Sequence, residues 1–131
     1  MPFVRISLPK TLRQEVKDQI SISVHQSLIN EFNIPADDYF HVIEELDSHQ
    51  IKFPKSYLEI PHTEEIVYIQ IIAGKGRTFE KKKRLYASIA EKIAESTTIT
   101  KNNIIIVLTE NNGQEDWSFG NGGIQGAKHI I

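Results

Sequence analysis

The chain has 131 residues, 40% hydrophobic and 24% charged, with a formal charge of -2 and no cysteine. That size supports one hydrophobic core, so residues 1–131 read as a single domain. The charge balance gives no basis for a nucleic-acid partner, no apolar run nears the ~18 residues of a membrane span, and disulfide or thiol chemistry is excluded.

The start lacks an apolar signal segment, which makes the cytoplasm the expected location. Pro2 follows the initiator methionine, and small second residues favour its removal. A proline opening a strand need not donate to a sheet ladder, and as a free secondary amine it can act as base, acid or nucleophile. The alternative is an ordinary strand-opening proline. Pro2 to Leu8 reads as the first strand, with Phe3, Val4, Ile6 and Leu8 interrupted only by Arg5 and Ser7.

Thr11-Leu12-Arg13-Gln14 has the form of a capping box and predicts a helix start there. Leu12, Val16, Ile20, Val24, Leu28 and Phe32 then recur every four residues, an apolar stripe along one helical face. His25 lies beside that stripe as a boundary residue. Asn33 to Asp38, with Pro35, is a turn, and Tyr39 to Leu46 a second strand. Asp47 to Thr63 is irregular, with room for a short hairpin.

Ile66 to Ala73 is the third strand. Gly74-Lys75-Gly76-Arg77-Thr78 turns into a second helix with Thr78 as N-cap and Phe79, Leu85, Ile89 and Ile93 as apolar positions. Lys81-Lys82-Lys83-Arg84 is the solvated face of that helix. Ile104 to Leu108 is the fourth strand, followed by a glycine-rich tail. No metal is expected, because His25, His41, His49, His62 and His129 show no close pairing. Gly74-Lys75-Gly76 lacks the rest of a phosphate loop.

Ile34-Pro-Ala-Asp-Asp-Tyr-Phe-His-Val-Ile-Glu-Glu45 aligns with Ile99-Thr-Lys-Asn-Asn-Ile-Ile-Ile-Val-Leu-Thr-Glu110 at a shift of 65 residues. The chain is thus two β-α-β repeats, residues 2–46 and 66–110, with a tail at 111–131. The predicted class is α/β (α+β), a four-stranded sheet with two helices on one face. Val67 to Ile72 and Ile104 to Leu108 are apolar on both alternating faces. Two helices cover one side, so the other side is expected to be buried by a second subunit.

Pro2 on a strand, the two repeats, and Glu110-Asn-Asn-Gly-Gln-Glu-Asp-Trp-Ser-Phe-Gly-Asn-Gly122 together resemble the tautomerase superfamily, in particular malonate semialdehyde decarboxylase and its relatives. The resemblance covers nearly the whole chain. It implies a homotrimer with an active site around each Pro2. It also implies that Asp38 is the active-site carboxylate, Arg77 an active-site arginine, and Trp117 and Phe119 the pocket wall, with Lys75 where the decarboxylase has another arginine. Apart from the resemblance, Asp37 and Asp38 can simply satisfy a turn, Arg77 can be an exposed helix-start residue and Trp117 a core residue. Two departures stand out: Tyr39 replaces an arginine, and Lys75 keeps charge but loses bidentate carboxylate recognition.

The chemistry these residue types allow is specific. Arg77 can grip the carboxylate of a small 2-oxo or 3-oxo acid, and an α-amino group, near pKa 8 in model peptides (roughly), can transfer a proton without metal or organic cofactor. If cations dominate around Pro2 it is a neutral base suited to keto–enol tautomerisation; if Asp38 dominates it is an acid suited to decarboxylation or hydration. The expected function is a tautomerase, with a decarboxylase/hydratase or a non-catalytic trimeric binding protein as alternatives.

Overall fold

The computed structural model describes residues 2–125; the expected loss of Met1, His129 and the end of the 111–131 tail lie outside them. Strand β1 (Phe3–Pro9) leads through helix α1 (Gln14–Phe32) to β2 (His41–Leu46). A two-stranded hairpin of β3 (Ser56–Tyr57) and β4 (Ile60–Pro61) occupies the irregular segment. Strand β5 (Val67–Gly74), helix α2 (Phe79–Ser96) and β6 (Ile104–Asn111) repeat the first unit.

The main sheet has the order β2-β1-β5-β6. β1 runs parallel to β2 and β5 parallel to β6, while β1 and β5 meet antiparallel at the centre. Arg5 stands opposite Gln70 in that central pair. These two residues are also equivalent under the repeat, so the local twofold axis passes between them. Each parallel pair needs a helical crossover, and both helices lie on one face.

Beneath the helices, Val4, Ile6 and Leu8 of β1 and Val67, Ile69, Ile71 and Ala73 of β5 pack against Val16, Ile20, Val24 and Leu28 of α1 and Leu85, Ile89 and Ile93 of α2. Ser27 bonds Ser88 at 2.9 Å where the helices meet. Ser21, Ser23 and Ser27 of α1 are buried along with its apolar residues. The opposite face is mixed: Val42 and Val107 are exposed, at 39% and 54%, beside a polar group in which Arg5 and Ser7 bond Glu44 at 3.0 and 2.8 Å.

Two local expectations are corrected. The capping box does not form: Leu12 N–H bonds the Pro9 carbonyl in a turn, so α1 starts later, with Arg13 as an N-cap that makes no side-chain bond and Gln14 turned to Asp18. Phe79 is 76% exposed rather than part of the apolar stripe. Six residues ahead of Leu85, it lies about 240° round the helix from it, away from the sheet. Thr78 does cap α2, accepting from Lys81 N–H at 3.2 Å.

The repeat extends to buried detail. Ile34 and Ile99 are both buried, and so are their successors Asp38 and Asn103. Asn103 is bonded at both side-chain ends: its amide donates to Thr63 Oγ1 at 2.8 Å and accepts from Thr63 N–H at 2.9 Å.

Candidate active site

Strand register brings the ends of three segments together. Val4 N–H bonds the Phe40 carbonyl at 3.0 Å and Phe3 pairs with Ile72. Pro2 therefore sits one residue ahead of the ladder, between the chain entering β2 and the end of β5, and is buried. Helix α1 ends at Asn33, whose left-handed backbone (φ 57) sends the chain into the Pro35 turn. Asp38 N–H closes that turn on the Pro35 carbonyl at 3.1 Å. The Asp38 side chain is carried inward to 4% exposure. Burial raises its carboxyl pKa, and nearby positive charges, Arg77 among them, oppose the rise.

Arg77 arrives from the other repeat. Gly76 has φ 123, a conformation glycine adopts without penalty, and this turns the chain from β5 toward α2. Arg77 Nη1 donates to the Gly74 carbonyl at 2.9 Å and Nη2 to the Phe32 carbonyl at 3.4 Å. Its guanidinium carbon lies 4.8 Å from the Phe32 ring centre. Burial pulls the guanidinium pKa down, while Glu110 and Asp38 act to raise it. Arg77 is half-buried, not an exposed helix-start residue. Lys75, two residues earlier, is exposed, with its backbone N–H on the Asn111 carbonyl at 2.9 Å.

The tail closes over the same end of the sheet. A single turn at Gly113–Asp116 is tied by the bond from Asn112 N–H to Asp116 Oδ2 at 2.7 Å. Gly113 comes so near β5 that a Cβ on Gly74 would stand 3.3 Å from its Cα. Trp117 and Phe119 stack at 5.4 Å, and Phe119 meets Phe40 at 5.4 Å. Phe119 N–H bonds Gln125 Oε1 at 2.9 Å. The indole Nε1 of Trp117 is buried without a hydrogen-bond partner. Neither aromatic belongs to the core beneath the helices.

Several neighbours of Asp38 make contacts that the sequence did not show. Tyr39 and Ser21 hydroxyls lie 2.7 Å apart, and Ser21 Oγ is 2.9 Å from His41 Nδ1. The Tyr39 ring stacks on His41 at 4.4 Å and meets His25 edge-on at 4.5 Å. His25 and His41 rings are 6.0 Å apart, a proximity that their sequence spacing does not show. Burial first, and then the charge of His25, lowers the His41 pKa to about 4, so it is neutral at pH 7. Alternation from Tyr39 to His41 and the four-residue step from Ser21 to His25 are the signals that bring these groups to facing surfaces.

Among the described residues no group of three or more His, Cys, Asp or Glu is placed to hold a metal ion, and no helix is long and apolar enough to cross a membrane. A separate cleft of about 640 Å³, lined by Pro9, Lys10, Leu46, Asp47, Ile51 and Phe53 among others, lies at the opposite end of β1 and contains none of the residues above.

Residues 38–120 match a sequence family described as Tautomerase enzyme, and residues 2–53 match a second family of the same description. The chain is 40% identical over 125 residues to Probable tautomerase YusQ of Bacillus subtilis (strain 168), covering 95% of this chain and 98% of that protein. Probable tautomerase YrdN of the same strain is 26% identical over 125 residues, covering 95% of each. The crystal structure of FG41 malonate semialdehyde decarboxylase inhibited by 3-bromopropiolate superposes with a TM-score of 0.86 at 31% identity, covering 92% of this chain and 91% of that one. A fused 4-OT symmetric trimer shares the fold, with a TM-score of 0.76 at 13% identity over 93% of this chain and 94% of that one.

Proposed function

The chain belongs to the tautomerase family, and we propose that it is a cofactor-independent tautomerase in which Pro2, freed by loss of Met1, moves a proton on a small 2-oxo or 3-oxo acid. The observation that carries this reading is the arrival of buried Pro2, the buried Asp38 carboxyl and the half-buried Arg77 guanidinium at one end of the sheet. Arg77 spends two of its five N–H donors on Gly74 and Phe32, which leaves three for a substrate carboxylate. Neutral Pro2 takes the proton from the enol hydroxyl and returns it to the adjacent carbon, giving the keto acid. Arg77 offsets the charge that develops on the oxygen between these steps. Trp117, Phe119 and Phe40 form the apolar wall, and Lys75 supplies a second, exposed cation at the rim.

The assembly proposed is a homotrimer. Exposed Val42 and Val107 on the helix-free face support it, as do the fused 4-OT trimers that share the fold. A second reading, decarboxylation of a 3-oxo acid with Pro2 protonated, is favoured by the 31% identity to FG41 malonate semialdehyde decarboxylase and by the carboxylate of Asp38, which favours the charged amine.

Phenylenolpyruvate ketonisation followed by absorbance, with the processed amino terminus verified by intact mass, tests the proposal. Wild type is expected to be active and Pro2→Ala strongly impaired. Equal rates for the two, or a native mass that retains Met1, would remove it. Release of carbon dioxide from a 3-oxo acid in the absence of ketonisation would select the second reading.

A further inference from the structure

Residues 33–40, which carry Asp38, lie outside any helix or strand. Besides the backbone bonds of Asp38 N–H to Pro35 and of Val4 N–H to Phe40, side chains of α1 hold this segment. His25 Nε2 bonds the Ala36 carbonyl at 2.8 Å, two residues before Asp38. Ser21, one helical turn earlier, reaches the Tyr39 hydroxyl at 2.7 Å and His41 Nδ1 at 2.9 Å, directly after it. Asp38 is thus held between two fixed points on one helix.

The partner of His25 assigns its proton. A carbonyl only accepts, so His25 Nε2 carries a hydrogen. Its Nδ1 is buried without a hydrogen-bond partner, and its ring braces Tyr39 edge-on. Neutral His41 carries its hydrogen on one ring nitrogen, and the Ser21 hydroxyl, which can both donate and accept, bonds it with either tautomer while keeping its bond to the Tyr39 hydroxyl. The charged groups acting on Asp38 include His25, Asp37 and Arg77.

We propose that His25 and Ser21 are positioning residues, a clamp from the first helix that fixes the Asp38 carboxyl relative to Pro2 for proton transfer. The inference rests on Pro2 and Asp38 being the reacting groups. It goes beyond that assignment in giving the phenol of Tyr39 a task, as the contact through which Ser21 grips the segment.

Ketonisation kinetics on folded, melt-verified variants test it, with Pro2→Ala and Asp38→Asn measured alongside. His25→Phe keeps a ring but deletes the donor, and kcat is expected to fall about 10- to 100-fold with KM changed less than about twofold, as for a misplaced rather than missing group. His25→Gln, which restores a donor, should recover part of the loss, and Tyr39→Phe should show a smaller kcat defect. Wild-type kcat in His25→Phe, or a His25→Gln as impaired as His25→Phe, overturns the clamp if Pro2→Ala and Asp38→Asn are inactive. Full activity in those two variants overturns the site assignment itself, and the clamp with it.

Discussion

Arg77 donates to the Gly74 carbonyl at 2.9 Å, so the cation proposed to hold substrate is first bonded to the end of its own strand. That bond, with the second one to Phe32 and the ring beneath it, fixes the guanidinium before any ligand arrives.

Arg77→Ala is therefore expected to lower kcat/KM by roughly 2–4 kcal/mol and also to cost about 1–2 kcal/mol of stability from the lost bonds and ring contact. Arg77→Lys keeps the charge without the fork and should rescue only partly. A kcat/KM unchanged in Arg77→Ala would place the residue outside the site.

Asp38 is expected to behave oppositely in stability and activity. Because burial raises its folded pKa, the folded chain retains a proton at pH values where the unfolded chain has lost it, so stability declines as pH rises through that interval. Above the folded pKa the ionised carboxylate is a standing cost. Asp38→Asn should thus melt higher than wild type at pH 7, lose that advantage once both states are protonated near pH 3 (about), and be catalytically impaired. Melting curves at both pH values check this, and a lower melting point at pH 7 would contradict it.

His41 gives the reverse pH signature. Its folded pKa of about 4 lies below the ordinary 6.5, so the unfolded chain binds the extra proton and stability is lost as pH falls from 6.5 to about 4. After allowance for solvent at this partly exposed ring, the loss is about 1–2 kcal/mol. Denaturant titrations of wild type and His41→Asn across that range should show the slope only in wild type; parallel curves would assign it elsewhere.

The aromatic wall predicts a separation of effects. Phe119 touches Trp117 and Phe40 but not the core beneath the helices. Phe119→Ala should reduce kcat/KM about tenfold while shifting the melting point little, and truncation before Glu115 should act in the same sense. Large loss of helical circular dichroism on truncation would show that the tail supports the fold.

The architecture was legible because it is written twice. The 65-residue shift places Ile34 and Ile99, and the strands after them, in equivalent surroundings, and Thr78 caps its helix as its residue type suggests. Thr11 misled because a capping pattern is local, whereas the turn closed on Pro9 delays the helix. The proposed grouping of Pro2, Asp38 and Arg77 came only through family resemblance, since it depends on register between three strands. Ser21 and Phe40 escaped notice, and the contacts of His25 and Tyr39 were not foreseen, because such contacts link residues up to 79 apart, as Phe40 with Phe119, and no short motif encodes such a meeting.

Asn103 occupies in the second repeat the place that Asp38 occupies in the first, and it is locked on both sides to Thr63. An amide cannot ionise, and this one is buried with both its oxygen and its nitrogen bonded to Thr63. A chain has one amino terminus, so under the proposed mechanism the first repeat alone supplies the reacting amine, while the second supplies Arg77. Active-site titration should accordingly count one equivalent per polypeptide, and sequence drift in the 99–103 turn should be limited by packing alone, free of any demand from substrate.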